Sequence, residues 1–455
     1  MHKEAAALGW LKKWLAARVP GGRFGRSLVW LSGGTALGQA ITLAVSPLLT
    51  RLYRPEDFGV FGVYVSLLGI ITVVASLRYE YALPLPEDER TAFHVLALCF
   101  LALGGTTLVG GLAVWWIGEE LGEWSNLSEL GKYVWLLPVG ILAAGTYQIL
   151  SYWGIRERCF PMLAQTRINR GLLRAGVQVG LGAVYPGPSG LVVGQLIGEM
   201  AGSGSLGREI WKRYRHLWGS LRWREVFQAG RRYRRFLFFS SGADFLDSLG
   251  LHGPLIFFAA FYGPEVAGWF TLGQRVIAAP LNIVVDAAGQ VYFGEVAQLA
   301  KNDPKAMKGL FLRVAGRLAL IGAIPVGGMC LLAPWVFEFL FGSDWEVAGQ
   351  YVQILGAMFA VRFPIAPLSH TLNVLERQDL HLLWEGTRLV LVLGGLTLTR
   401  VLGGSDLMAV GAYSVTMTIG YLVLGTLCWY ALSAVRKEPI DGRSVENDKV
   451  ERGSV

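Results

Sequence analysis

Charge is scarce in this chain. Asp, Glu, Lys and Arg make up 16% of its 455 residues, against about 25% in soluble domains. With 53% apolar residues and a mean hydropathy of +0.44, this excludes a soluble globular protein. Cysteine is scarce too: Cys99, Cys159, Cys330 and Cys428 show no disulfide or metal-ligand spacing, so they are expected to be inert packing residues, and no metal site or cofactor is expected. Alternation of apolar and polar residues is absent, which excludes a membrane-spanning β-barrel. No DxD pair occurs, and the longest loop on the side away from the termini, Gly118 to Tyr133, has about 16 residues. A membrane glycosyltransferase or polymerase would need such a carboxylate pair or a large catalytic loop, so no enzyme activity is expected and no catalytic residue is assigned. Because no separate apolar core precedes the first span, a cleavable signal is not expected.

What the chain does have is apolar length. Twelve mostly apolar stretches near 20 residues long lie at 29–50, 58–77, 91–117, 134–153, 160–184, 189–207, 237–260, 266–290, 310–334, 350–372, 381–400 and 407–431. Each can cross a hydrocarbon core of about 30 Å as a helix. Loops on the side of the N-terminus, with both tails, carry 29 Lys and Arg; the opposite loops carry 4, namely Arg51, Arg54, Lys132 and Arg400. The positive-inside rule then predicts a multi-pass protein with both termini in the cytoplasm, and the expected location is a bacterial or archaeal cytoplasmic (inner) membrane. The net charge of +8 is a topology signal on this basis, and no nucleic-acid partner is expected.

The expected organisation is a basic N-terminal segment at 1–27, a six-helix bundle at 28–207, a basic cytoplasmic linker at 208–235, a second six-helix bundle at 236–432 and a cytoplasmic tail at 433–455. In the first segment, Trp10, Leu11 and Trp14 beside Lys12 and Lys13 suggest a short interfacial helix. The linker carries 10 Lys and Arg interleaved with Trp211, Trp218 and Trp223. A grip on anionic headgroups of membrane lipids competes there with the plainer role of a solvated connection.

The pattern YxPExxGxF occurs twice, at Tyr53, Pro55, Glu56, Gly59 and Phe61 and at Tyr262, Pro264, Glu265, Gly268 and Phe270. The same offset of 209 residues sets Ser32-Gly33 on Ser241-Gly242 and Leu37 on Leu246. A duplication that keeps one point in each half implies an even number of spans per repeat, as in transporters built from parallel repeats. The fold class is therefore all-α: a polytopic membrane protein with about 12 transmembrane helices in two six-helix bundles. The motif is expected to be an outer turn between the first and second helix of each bundle, with Pro breaking the chain and Glu suiting the helix dipole.

Polar groups inside the spans carry the functional information, since an ionisable side chain near the bilayer centre costs roughly 2.5–3.5 kcal/mol and faces a cavity or a partner. All eight cations within the spans are arginines: Arg167, Arg170, Arg174, Arg275, Arg313, Arg317, Arg362 and Arg388. Arg167, Arg170, Arg174 and Gln178 fall within an arc of about 80° on the fifth span, forming a basic stripe. Span seven supplies Asp244, Asp247 and Ser248, either to pair with those arginines or to bind a coupling cation. Span eight places Arg275, Asn282 and Asp286 on one stripe, and Arg362 stands in the middle of span ten. Snorkelling is expected for Arg313 and Arg317, a local ion pair for Glu385 and Arg388, and either a cytoplasmic gate or an end cap for Arg78 and Glu80. A cavity holding Arg167, Arg170, Arg174, Arg275 and Arg362 against Asp244 and Asp247 suits an anionic cargo, for which bidentate guanidinium is better than lysine.

The opening segment, from LSGGTALGQAITLAVSPLLTRLYRPEDFGVFGVYVSLLG onward, resembles the start of Wzx-type flippases of the multidrug/oligosaccharidyl-lipid/polysaccharide exporter superfamily, and LFGSDWEVAGQYVQIL at 340–355 is similar to their outer loop before span ten. The resemblance covers nearly all of residues 27–435. It implies two six-helix bundles around a central cavity and an undecaprenyl-diphosphate-linked oligosaccharide moved between leaflets by alternating access. It further implies cavity arginines on the diphosphate, no cofactor, coupling to H+ or Na+ through Asp244 and Asp247, and a polysaccharide polymerase and chain-length regulator as partners. A drug or cation antiporter of the same superfamily is the alternative, and it demands a cavity dominated by acidic and aromatic groups.

Overall fold

The computed structural model describes residues 23–124, 129–234, 236–237 and 241–434. The expected interfacial helix around Trp10 and Trp14 and all but the first two residues of the 433–455 tail lie outside the described residues. Sixteen α-helices and no strand are found among the described residues. Eight helices are long and apolar enough to cross a membrane. They match eight of the twelve expected spans, and the other four are helices that are shorter or carry polar side chains. The protein is thus all-α and multi-pass, with about twelve membrane-crossing helices.

Contacts divide the chain into two compact units, residues 1–279 with 338–345, and residues 280–337 with 346–455. In the first unit, α1 (Arg23–Leu52) is followed by α2 (Pro55–Val73), where Pro55 opens the helix and the Arg54 amide donates to Asp57 at 2.9 Å. A 3-10 turn (Tyr79–Ala82) leads to α3 (Glu89–Trp124), started by Asp88, which accepts hydrogen bonds from the Thr91 amide at 2.9 Å and hydroxyl at 3.0 Å. These bonds hold the Asp88 carboxyl below the usual carboxylate range. Next come α4 (Leu130–Val134), α5 (Leu137–Arg156), α6 (Phe160–Gly182) and α7 (Ser189–Ala201).

The expected sixth span at 189–207 is covered by α7 and α8 (Ser203–Tyr214), which meet at Gly202, where the backbone stays helical at φ -81° and ψ -26°. Residues 208–235 are not only a solvated connection, because α9 (Trp223–Arg232) packs its buried Val226 and Ala229 on the α3 side of the unit. His94 of α3 is a packing histidine there. Its Nδ1 faces the Arg90 carbonyl at 2.7 Å and its Nε2 accepts from the Arg222 amide at 3.3 Å. The unit is completed by α10 (Ser241–Tyr262) and by the first part of α11 (Pro264–Asn302).

The second unit takes the rest of α11, most of α12 (Ala306–Phe341), then α13 (Glu346–Ile365), α14 (His370–Val374), α15 (Gln378–Val401) and α16 (Asp406–Ala434). Helix α16 packs against both α13 and α15. The expected pair of Glu385 and Arg388 is present at 2.5 Å, buried, with the guanidinium 4.8 Å from the Trp384 ring centre. Large apolar side chains such as Ile324, Leu331 and Val401 stay more than three-quarters exposed on the helix surfaces, as lipid-facing positions must.

The two copies of the motif meet each other within the first unit. A methyl group on Gly59 would stand 2.7 Å from the carbonyl carbon of Pro264, and one on Gly268 would stand 2.6 Å from that of Pro55. Each glycine thus exists to let the other copy's proline carbonyl approach. Trp345, in the 3-10 turn Ser343–Trp345, closes this end: it is buried, lies edge-on to Phe58 at 5.0 Å and donates its indole N–H to the Thr50 carbonyl at 3.3 Å. Trp269 donates to the Asp344 carbonyl at 2.8 Å. The motif end is therefore bound by contacts from both repeats and from the 340–355 segment.

Candidate functional site

The arginine stripe sits on a helix that packs unusually close to its neighbours. On one side, Gly38 of α1 leaves room for the Arg167 carbonyl, and a methyl there would come to 2.9 Å of it. On the other, α7 carries Gly190, Gly194 and Gly198, and Gly202 follows at its end, one every fourth residue. Methyls at Gly194 and Gly198 would press on the Arg174 carbonyl at 3.1 Å and on its Cβ at 3.0 Å, while one at Gly202 would strike the Tyr147 ring. The glycine groove is where the arginine stems lie.

At the end of that groove stands Glu199, an acid in the sixth expected span. Both guanidiniums converge on it: Arg170 Nη2 bonds one carboxylate oxygen and Arg174 Nη2 the other, at 3.0 Å. Gln195 donates to the same carboxylate at 3.0 Å. Arg170 also lies 3.9 Å from the Tyr147 ring centre in a cation–π contact and donates Nε to the Gly198 carbonyl at 3.3 Å. Tyr147 is fixed by a bond to Thr166 at 3.1 Å.

This cluster lines a cavity of about 360 Å³ in the first unit. Helix α6 contributes Arg167 and Arg170, α7 Gln195 and Glu199, α5 Tyr147, Gln148, Ser151 and Tyr152, α2 an apolar wall ending at Thr72, and α10 His252. Arg167 donates to Thr35 of α1. His252 packs over Gly69, where a methyl would come to 2.6 Å of its Nε2. Of the charged side chains in this lining, Arg167 and Arg170 stand against Glu199 alone, so the wall is net basic, and Arg174 holds the same carboxylate from outside the lining.

The expected acids are elsewhere. Asp244 accepts from Arg78 Nε at 2.7 Å and from the Tyr81 hydroxyl at 3.3 Å, while Asp247 is exposed with His252 as an electrostatic neighbour. Neither Asp244 nor Asp247 is in the cavity lining, and the counter-ion of Arg170 and Arg174 is Glu199. Arg78 and Glu80, expected as a gate or a cap, form a buried knot: Arg78 bonds Glu80 at 3.3 Å, and Glu80, fully buried, also accepts from Ser76 and from Gln148 at 2.6 Å. Leu77 and Arg78 hold left-handed backbone, φ 52° and 60°, a strain that the knot and the Asp244 pair hold in place.

Arg275 comes within electrostatic range of Arg174 but does not line the cavity, and its Nη1 finds no hydrogen-bond partner among the described residues. The expected stripe of Arg275, Asn282 and Asp286 is split between the two units. In the second unit Asn282 accepts from Arg362 at 3.0 Å, and Asp286 has Arg362 and His370 as electrostatic neighbours. Glu199 and the glycine groove were the missed features. The signal was present, as glycine at every fourth position of a span that also holds a carboxylate.

The chain matches the family described as polysaccharide biosynthesis protein over residues 48–350. It is 23% identical over 310 residues to the teichuronic acid biosynthesis protein TuaB of Bacillus subtilis, covering 67% of this chain and 62% of that one. It is 21% identical over 327 residues to the succinoglycan biosynthesis transport protein ExoT of Rhizobium meliloti, covering 70% and 62%. The match thus spans less than two thirds of the length of either relative. Among solved structures, the lipid II flippase MurJ in an inward closed conformation superposes with a TM-score of 0.68 at 12% identity, covering 87% of this chain and 86% of MurJ. An inward-facing multidrug transporter of the MATE family, covering 88% and 95%, gives 0.66 at 14% identity. The family match covers well over half of the chain, and the chain belongs to the polysaccharide biosynthesis protein family, with a fold shared by transporters and flippases of the MOP superfamily.

Proposed function

We propose that the protein is a flippase that moves an undecaprenyl-diphosphate-linked oligosaccharide from the cytoplasmic to the outer leaflet by alternating access, serving O-antigen, capsule or exopolysaccharide biosynthesis. The observation that carries this reading is a net basic cavity wall of Arg167 and Arg170 in which Arg170 shares the one carboxylate, Glu199, with Arg174. Two guanidiniums that each donate to one oxygen of the same carboxylate present charged donors of the kind a phosphate requires. The cavity of about 360 Å³ suits a diphosphate with part of its first sugar, so the glycan and the lipid must extend beyond it. Relatives whose names refer to teichuronic acid and succinoglycan biosynthesis support a glycan cargo. In this reading both termini are cytoplasmic, the protein lies in the inner membrane, the knot of Arg78, Glu80 and Asp244 is a gate on the cytoplasmic side, and a polymerase and a chain-length regulator act on the delivered glycan. A proton or sodium gradient drives the cycle.

The antiporter alternative shares the fold, and the cavity does hold Tyr147, Tyr152 and Glu199. It is disfavoured because Glu199 is already matched by two guanidiniums, leaving no uncompensated acid there to attract a cation. Purified protein in liposomes separates the two: the flippase translocates a fluorescent lipid-diphosphate-linked oligosaccharide and leaves an organic cation dye outside. Dye uptake without glycan translocation overturns the proposal.

A further inference from the structure

Glu199 occupies the ligand position of the arginine pair. Its carboxylate takes one bond from each guanidinium and a third from Gln195, and it faces the cavity with about 10% of its side chain exposed. Arg170 lines the cavity and is about 20% exposed, so an anion entering the cavity reaches the guanidinium that Glu199 holds, while Arg174 keeps the same carboxylate from outside the lining. Neither arginine can bond both anions with the same N–H groups.

We propose that Glu199 is a built-in competitor of the cargo phosphate: the acidic headgroup binds by displacing the Glu199 carboxylate from Arg170, the guanidinium that lines the cavity, and the carboxylate returns to expel the headgroup on release. This rests on the reading of the arginine pair as the diphosphate site. Displacement explains why an acid stands in a wall that would bind phosphate more tightly without it. A transporter needs affinity low enough for release, and an internal counter-ion lowers affinity while keeping the guanidiniums paired in the empty state, where bare buried charges would be costly. Gln195 and Tyr147 complete the exchange. Gln195 keeps a donor on the carboxylate, and the Tyr147 ring holds the Arg170 guanidinium in place while its partner changes. The specificity follows: a ligand must bring at least one anionic oxygen pair to leave no guanidinium unpaired, so phosphate and diphosphate exchange and neutral glycolipids do not.

The test is binding of inorganic pyrophosphate to the purified full chain in detergent, read by calorimetry with thermal unfolding as the control for fold. Replacing one carboxylate contact is worth roughly tenfold to a hundredfold in binding. Glu199→Gln is expected to bind pyrophosphate tighter by that factor, and Glu199→Asp, whose carboxylate falls one methylene short, by an intermediate factor. Arg170→Ala is expected to weaken binding by about tenfold to hundredfold in both the wild-type and the Glu199→Gln background. In liposomes, Glu199→Gln is expected to turn over more slowly than wild type because release loses its competitor. If Arg170→Ala weakens pyrophosphate binding but Glu199→Gln and Glu199→Asp bind no tighter than wild type, the exchange is overturned while the diphosphate site stands. If Arg170→Ala leaves binding unchanged, the site itself falls. Should Glu199→Gln lose its thermal transition, Glu199→Asp alone decides, because it retains the charge.

Discussion

Adding one methyl group at Gly268 tests the contact between the two motif copies. The methyl would lie 2.6 Å from the carbonyl carbon and 3.1 Å from the Cα of Pro55, atoms of backbone at the first turn of α2. Carbon atoms pack at about 3.5–4.0 Å and the Pro55 carbonyl oxygen lies nearer still to the methyl, so the helices carrying the two motifs must separate by more than about 1 Å or bend. No side chain can swing away, and overpacking of this kind costs about 1–3 kcal/mol. The mirror substitution, Gly59→Ala, meets the carbonyl carbon of Pro264 at 2.7 Å and its Cα at 3.0 Å, so its cost should be nearly equal. Because one separation makes room for both methyls, the double variant should cost well below the sum, with a coupling of at least about 1 kcal/mol. Gly104→Ala in α3 is the control: nothing lies within 4 Å of its Cβ position, and helix propensity favours Ala by up to about 1 kcal/mol. The assay is unfolding of the purified protein in mixed detergent by titration with SDS, read for the four variants. Costs at Gly59 and Gly268 no greater than at Gly104, or strict additivity of the pair, would refute the reciprocal contact.

Three further outcomes follow from the same geometry. Exchanging the charges of Arg78 and Asp244, 2.7 Å apart, should restore part of the flipping activity that either single reversal removes, and a swap no better than the singles would show that the pair is not a gate contact. Trp345→Ala should lower stability by about 3–5 kcal/mol, since it deletes a buried ring against Phe58 and the bond to Thr50, and a loss under 1 kcal/mol in the SDS titration would contradict that closure. Tyr147→Phe keeps the ring under Arg170 and should cost about 1 kcal/mol for the lost Thr166 bond, whereas Tyr147→Leu also removes the cation–π contact and should cost up to about 2 kcal/mol more. Equal stability of the two variants would assign no role to the ring.

Much of this architecture was legible because hydrophobic length and helical spacing are local properties. The helices of 55–73 and 406–434 announce themselves by composition, and the stripe of Arg167, Arg170 and Arg174 is visible in spacing alone. Its partner was not, because pairing across helices depends on how closely they approach. Gly194, Gly198 and Gly202 decide that approach, and only with α7 drawn onto α6 does Glu199 reach two guanidiniums. For the same reason Asp244, 166 residues from Arg78, looked like a partner for the arginine stripe. The repeated motif was plain in the sequence, but its glycines acquire a reason only when each is seen against the other copy's proline carbonyl.

The central claim is that the arginine pair held by Glu199 is where the cargo's diphosphate binds. Flipping of a lipid-diphosphate-linked oligosaccharide in liposomes containing wild type, Arg170→Ala, Arg174→Ala or the double variant tests it most directly. Loss of one charge-assisted contact predicts about a tenfold to hundredfold slower rate for each single variant and no measurable flipping for the double. Wild-type rates in the double variant, with its thermal transition intact, would contradict it.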